Sequence, residues 1–374
     1  MGKKRTVAVL FGGQSGEHEV SLVSAQAVMA GLDPERYDVL PVGITKDGRW
    51  VAGAGAHAAL LAAADKSLLP AGGEQAAAKA EDAAGEPNTA ESKAVVPFSI
   101  LSPQRSIDVV FPVLHGPMGE DGTVQGLLEL AGVAYVGCGV AASAVGMDKA
   151  LMKAAFAAAG LPLLPWLLVR RSELDADAEA VYRRVEATLR YPVFVKPANM
   201  GSSVGVGKAK DRAGLVAAFA EAARYDRRIV VEQGIPAREI EVSVLGNDEP
   251  EASVPGEIVP SGEWYDYAAK YLDGASQTLL PAPIDPALTE RVRALAIEAF
   301  RAIDGAGLAR VDFLLDKESG ELWLNEVNTM PGFTPISMYA KMWAASGLDY
   351  PALLDRLIEL AIERRQQRNP AGET

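Results

Sequence analysis

The sequence lacks the usual marks of secreted, membrane-spanning and nucleic-acid-binding chains. It has 374 residues and a single cysteine, Cys138. No disulfide can close within the chain, and a reducing cytoplasm fits. No apolar run approaches the roughly 20 residues of a bilayer span. The basic start Lys3-Lys4-Arg5 is followed by an apolar stretch over 7–11 that stops at Gly12-Gly13. That stretch is too short for the core of a secretory signal. Positive charge is not in excess either: 36 Lys and Arg stand against 49 Asp and Glu, a net charge of −13. A duplex-binding protein needs the opposite balance to displace counterions. Both common nucleotide loops are missing. No Gly-Lys-Ser/Thr follows a glycine run, and the first strand lacks the GxGxxG spacing.

What is present is the balance of a globular chain, with 49% hydrophobic and 23% charged residues. The length suggests two or three domains. The first third alternates strand and helix patterns: strands at 7–11, 37–44 and 108–114, and helices at 21–32 and 123–130. That order predicts α/β architecture with a doubly wound parallel sheet, whose ligands lie beyond the carboxyl ends of the strands. An Ala- and Gly-rich, acidic stretch at 52–94 reads as a surface insertion. A compact α+β unit follows, with helices at 148–159, 173–189 and 212–224 and strands at 166–169, 193–196 and 228–232. The last part holds strands, a polar loop at 261–277, a helix at 287–303, a strand pair and two closing helices. The expected domains are 1–147, 148–235 and 236–374.

The strand pair carries the sharpest chemical signal. It reads Ala309-Arg310-Val311-Asp312-Phe313-Leu314-Leu315-Asp316, then Leu322-Trp323-Leu324-Asn325-Glu326-Val327-Asn328 after a turn. A three-residue loop, Glu318-Ser319-Gly320, puts glycine where a left-handed backbone is needed. It pairs Asp316 with Leu322, Asp312 with Glu326 and Arg310 with Asn328, and the last two pairs share one face. Opposed carboxylates have Cβ atoms about 4.5–5.5 Å apart and repel. Two readings remove the conflict: a shared proton at a solvated edge, or a divalent cation held by Asp312, Glu326 and Asn328. These oxygen ligands suit magnesium or manganese. Apolar Val311, Phe313, Leu315, Trp323 and Val327 on the other face favour the cation, since core strands with one polar side are functional.

Two further clusters stand out. Lys196 ends an apolar strand and precedes Pro197-Ala198-Asn199-Met200-Gly201-Ser202-Ser203-Val204-Gly205, a loop whose N–H groups can cradle phosphates. By itself such a loop is often only a turn. The N-terminal loops carry Glu17 in Gly16-Glu17-His18-Glu19 and His115 in Leu114-His115-Gly116, both candidates for holding a charged substrate group.

The segments GGQSGEHEVSL, LHGPMGEDGT, GMDK, VKPANMGSSVGV, AREIEVSVLGN, YDYAAKY, RVDFLL and NEVNTMPGFTPISMY together resemble the D-alanine–D-alanine ligases of the ATP-grasp superfamily. The likeness runs over nearly the whole chain apart from 52–94 and the C-terminal tail. It implies a two-domain ATP-grasp fold behind the N-terminal domain, with ATP between the two. By this likeness Lys149, Lys196 and Lys270 meet the ATP phosphates, with Ser202 and Ser203 beside them. Glu232, Gln233 and Ile235 meet adenine, and Glu239 meets the ribose. Asp312, Glu326 and Asn328 hold two magnesium or manganese ions. Glu17 and His115 hold the first D-alanine's ammonium, Arg310 and the Gly332 N–H face the oxyanion, and Ser337 with Met338 takes the second carboxylate. Tyr271 links to Glu17 and Ser202, and its presence implies a dipeptide product. Relatives that use D-lactate carry His or Phe there. The resemblance also implies a homodimer built through the N-terminal domains, small-molecule substrates, and no nucleic-acid or membrane partner.

Overall fold

The computed structural model describes residues 3–65, 69, 107–260 and 277–368. Within them the strands form three sheets. The first is built from β1 (Arg5–Gly12), α1 (His18–Gly31), β2 (Tyr37–Ile44), β3 (Trp50–Ala52), α2 (Ala56–Ala62), β4 (Val109–Pro112), α3 (Thr123–Leu130) and β5 (Ala134–Tyr135). The strand order is β3-β2-β1-β4-β5, and only β3 runs antiparallel to its neighbour. Val7, Val9 and Phe11 of β1 enter one apolar cluster, and Ala8 and Leu10 enter another. Both faces are covered, which explains the unbroken apolar run.

The second sheet follows α4 (Val140–Met147) and α5 (Lys149–Ala158). It comprises β6 (Trp166–Arg170), α6 (Arg171–Thr188), β7 (Val193–Pro197), β8 (Gly207–Ala209), α7 (Arg212–Ala222) and β9 (Arg228–Gln233). Its order is β6-β9-β7-β8, all antiparallel. Strand alternation sends Val193, Val195 and Val231 into a core with Val185, Leu215 and Phe219 of the helices. The same alternation turns Phe194, Lys196 and Glu232 to the other face.

The third sheet contains β10 (Ala237–Gly246), β11 (Glu251–Ala252), β12 (Gly256–Val259), β13 (Gln277–Leu279), then α8 (Pro286–Ala302), β14 (Gly307–Asp316) and β15 (Leu322–Asn328). The order is β13-β12-β10-β14-β15, with β11 beside β10. Helices α9 (Met338–Ala345) and α10 (Tyr350–Arg368) close the described chain. No helix among the described residues is long and apolar enough to cross a membrane.

The structure departs from the sequence expectations in three places. The stretch 52–94 does not begin as a surface insertion. Ala56, Leu60 and Leu61 of α2 are buried in one cluster with Phe11 and Leu22. Periodicity misses so short and alanine-rich a helix. Secondly, α5 does not pack as the start of the second unit: Met152 and Phe156 lie in the core of the third sheet, with Val292, Phe300 and Val311. Conversely, α10 returns to the first sheet, where Leu353, Leu354, Leu357 and Ile358 pack with Val7, Val9 and Val28. Thirdly, the β14–β15 turn has four residues: the Asp316 N–H donates to the Glu321 carbonyl (2.9 Å), and Gly320 N donates to Asp316 O (3.0 Å). Gly320 takes the expected left-handed backbone, φ 72°.

That longer turn pairs Leu315, not Asp316, with Leu322. A bulge beyond Asp312 then shifts the register by one, so Asp312 still faces Glu326 and Arg310 still faces Asn328. Near the turn the faces are exchanged accordingly: Leu322 and Leu324 are buried, and Trp323 is only half-buried. Bulges commonly re-aim side chains beside functional sites.

Candidate active site

The carboxyl ends of β1 and β4, the open face of the second sheet and the polar face of the third enclose one cleft of about 770 Å³. Every expected site residue within the described set borders it. Lys270 and Tyr271 lie outside the described residues.

The wall formed by the third sheet is acidic around one guanidinium. Arg310 donates from Nε and Nη2 to the two oxygens of Asp312, at 2.7 Å each. It also lies 3.4 Å from Glu241 Oε2. Asn328 Nδ2 donates to Asp312 Oδ2 (2.9 Å). Burial disfavours the Arg310 charge, but Asp312, Glu241 and Glu326 outweigh it and hold the proton more tightly than usual. Three carboxylates around one cation leave a local negative surplus. Among the described residues no three His, Cys, Asp or Glu side chains converge on a metal position. The oxygen set here is two carboxylates and an amide, which suits magnesium, an ion that usually takes one or two carboxylates and completes its shell with phosphate oxygens and water.

The wall formed by the second sheet is cationic. Asp148 caps α5 by accepting from the N–H groups of Ala150 and Leu151, both at 3.0 Å. Its other oxygen pairs with Arg228 and accepts from Asn199 Nδ2 (3.0 Å). This fixes the helix that carries Lys149, whose Nζ donates to the Met200 carbonyl (2.7 Å). Lys196 Nζ donates to Glu232 Oε2 (2.8 Å), and Lys153 Nζ lies 3.1 Å from Glu232 Oε1. Burial alone would raise the Glu232 carboxyl; the two ammoniums outweigh it and bring it down to about 2. The Gln233 amide is taken up by backbone: it bonds to Arg190 N and O, Gly234 O and Pro192 O. The loop between β7 and β8 holds Ser202 and Ser203 at φ 48° and 60°. Such left-handed non-glycine residues cost about 1–3 kcal/mol each and concentrate at ligand clamps.

The N-terminal wall gathers Glu17, His115 and Glu120. Glu17 occupies the N-cap of α1 yet caps nothing with its side chain. Its carboxylate instead accepts from the Ser202 hydroxyl across the cleft. A Cβ at Gly116 would sit 2.8 Å from Glu17 Oε2, and one at Gly201 3.0 Å from it, so any side chain there would displace the Glu17 carboxylate; Gly116 also has φ 74°, which favours glycine. His115 is buried, and its Nδ1 lies 3.0 Å from the Met330 carbonyl. A carbonyl can only accept, so Nδ1 carries the proton, and Nε2 presents its lone pair toward Ser24 Oγ at 3.4 Å. Burial lowers the His115 pKa, which keeps the ring neutral. Burial, then the Glu17 charge, pushes the Glu120 carboxyl up to about 8.

Gly332, Ser337 and Met338 close one end of the cleft. Ser337 stands at the N-cap of α9 without capping it. Its hydroxyl accepts from Thr334 N (3.1 Å) and bonds Thr334 Oγ1 (2.8 Å). The first-turn N–H groups of a helix have no intrahelical partner, and the Ser337 side chain does not occupy them. A carboxylate suits that position.

Two residues of the cleft, Glu120 and Glu241, and one behind it, Lys153, were missed in the sequence. Lys153 follows Lys149 by one helical turn. Glu241 follows Glu239 by one strand repeat. Glu120 lies four residues after Gly116, whose N–H it accepts at 2.8 Å. The spacing was visible in each case; the burial that gives it meaning was not.

Comparison with known proteins shows the family of the chain. Residues 6–138 match a family model described as the D-ala D-ala ligase N-terminus, and residues 155–359 one described as the D-ala D-ala ligase C-terminus. A D-alanine–D-alanine ligase of Heliobacterium modesticaldum is 55% identical over 370 residues, covering 98% of this chain and 97% of the relative. One from Geobacillus thermodenitrificans is 48% identical, covering 98% and 97%. Among solved structures, the D-alanine-D-alanine ligase from Coxiella burnetii superposes with a TM-score of 0.81 at 36% identity, over 99% of this chain and 97% of that one. The VanG D-Ala:D-Ser ligase from Enterococcus faecalis gives 0.80 at 34%, over 96% and 100%.

Proposed function

The chain belongs to the D-alanine–D-alanine ligase family, and from that premise we infer that it joins two D-alanine molecules into D-alanyl-D-alanine for peptidoglycan precursors, converting ATP to ADP and phosphate. The observation that carries this reading is one cleft with a cationic wall, an acidic wall around Arg310 and a third wall where Glu17 and Glu120 stand beside His115. A nucleotide, a phosphoryl transfer and an amino acid each find a complementary surface.

In the reaction, a carboxylate oxygen of the first D-alanine bonds to the γ-phosphorus of ATP, and the bond to ADP breaks. The amine of the second D-alanine then attacks the acyl carbon, loses a proton, and phosphate departs. Glu17 holds the first ammonium by charge, and the His115 Nε2 lone pair accepts from it. Lys149 and Lys196 meet the polyphosphate, with the Ser203 hydroxyl and the backbone N–H groups of Ser202 and Ser203 beside it. Ile235 and the backbone of Gln233 border adenine beside Glu232, and Glu239 takes the ribose. Asp312, Glu326 and Asn328 would hold two magnesium or manganese ions, which supply charge neutralisation at the transferred phosphoryl group. Arg310 and the Gly332 N–H face the oxygen on which charge builds during amine attack. The N–H groups at Ser337 and Met338 receive the second carboxylate. By the family likeness Lys270 would add a phosphate contact and Tyr271 a link to Glu17 and Ser202; both lie outside the described residues. Aimed donors of this kind are typically worth about 100–1,000-fold in rate each.

The chain works in the cytoplasm as a homodimer joined through its first sheet unit, which light scattering checks. Phosphate release with ATP, magnesium and D-alanine alone tests the main reading. Turnover that appears only on addition of D-lactate or D-serine would reassign the second substrate.

A further inference from the structure

Lys153 is a buried lysine that borders no part of the cleft. Its side chain is 2% exposed, against 14% for Lys196. Lysines are almost never fully buried without a partner, because removing the ammonium from water is costly. Its partner is Glu232, a residue of the cleft wall whose side chain is itself 5% exposed. The carboxylate is divided: Oε1 faces Lys153 and Oε2 accepts from Lys196.

The geometry explains why two lysines meet one acid. β7 and β9 pair Phe194 with Glu232, so Lys196 lies diagonally across from the carboxylate on the same face. Helix α5 brings Lys153 to the far side of that carboxylate, one turn along from Lys149. Within this triad two ammoniums share one carboxylate; Glu326 and Glu239 also act on Lys196, and Glu326 on Lys153. Of the two lysines only Lys196 borders the cleft, so a second cation on Glu232 leaves Lys196 freer to face a ligand there. Were Lys153 absent, Lys196 and Glu232 would form a closed neutral pair. The nucleotide's phosphates would then have to break that pair before engaging the lysine.

We propose that Lys153 is a positioning residue that neutralises Glu232 from behind and so releases the charge of Lys196 to the polyphosphate of the nucleotide. The proposal rests on the reading of this cleft as the ATP site. Lys153 touches neither nucleotide nor amino acid; it acts through Glu232.

The test compares wild type with Lys153→Met, Lys153→Gln and Lys153→Arg. Titration calorimetry measures binding of inorganic tripolyphosphate and of adenosine, and steady-state assays give KM for ATP and for D-alanine. Met and Gln should weaken tripolyphosphate binding and raise the KM for ATP by about tenfold, the equivalent of about 1.4 kcal/mol. Adenosine binding and the KM for D-alanine should stay at wild-type values. Arg, which restores a cation behind Glu232, should recover most of the loss. Equal losses for adenosine and tripolyphosphate, or no loss for either, would overturn the proposal. Wild type that binds neither probe would overturn the ATP reading itself, a distinguishable result. Should the variants not fold, side-chain ¹⁵N spectra of the wild-type lysines decide. On addition of tripolyphosphate the Lys196 signal should move and the Lys153 signal should not, and equal movement of the two refutes the assignment.

Discussion

At one end of the cleft Glu241, Asp312 and Glu326 surround Arg310; at the other, Glu17 and Glu120 stand beside a neutral His115. Both ends concentrate carboxylates, but they relieve the repulsion differently. The third-sheet wall uses a fixed cation and leaves a negative surplus suited to further cations. The N-terminal wall uses a proton, retained on Glu120 by burial and by the Glu17 charge. The difference follows from the supports. Arg310 and Asp312 are two apart on one strand and so point the same way, whereas Glu17 and Glu120 come from separate loops with no arginine between them. A wall meant for phosphoryl transfer needs permanent charge. A pocket for an ammonium needs one carboxylate ionised, and a second full charge there would be unfavourable without the ligand.

This contrast can be broken most severely at the acidic wall. Glu326→Gln removes one charge without changing shape, and kcat should fall about 1,000-fold, the upper range for a transition-state electrostatic contact. Melting temperature should stay close to wild type, since Glu326 is only half-buried. Retained phosphate release would refute its role in holding a metal. At the opposite wall, Glu17→Gln should lower kcat/KM for D-alanine by about 100-fold while leaving the KM for ATP near its wild-type value. A matching rise in the KM for ATP would mean that the two walls are not functionally separate.

The smallest effect concerns stability. The Glu120 carboxyl is raised from 4.5 to about 8 on folding. The folded chain therefore retains that proton more firmly than the unfolded one. Its contribution to stability is complete below about pH 4.5 and is lost as pH rises through about 8. Glu120→Gln mimics the protonated form, so its melting temperature should match wild type near pH 5 and exceed it above pH 8. Parallel profiles for the two proteins would show that Glu120 is ionised in the folded state, and the contrast between the walls would disappear.

Much of the site was legible in the sequence because it is encoded by short spacings. The pairing of Asp312 with Glu326 followed from strand alternation and a hairpin turn, and it survives in the structure. It survives for a reason that counting did not supply: the turn has one residue more than expected, and the bulge restores the register. The same miscount placed Trp323 on the buried face. The Lys196 strand and its glycine loop were also local patterns, and the helix at 123–130 is found as Thr123–Leu130.

Alternation and turn chemistry act over a few residues, so the chain itself determined the strands, their polar face and the character of the phosphate loop. Charge compensation acts through space. The meeting of Lys153 with Glu232, the bidentate grip of Arg310 on Asp312 and the bond from Ser202 to Glu17 depend on which elements pack together. So does the burial of α5 in the third sheet and of α10 against the first. Only the tertiary structure decided which carboxylate keeps its charge and which keeps its proton, because desolvation and distance, unlike periodicity, are not written in neighbouring residues.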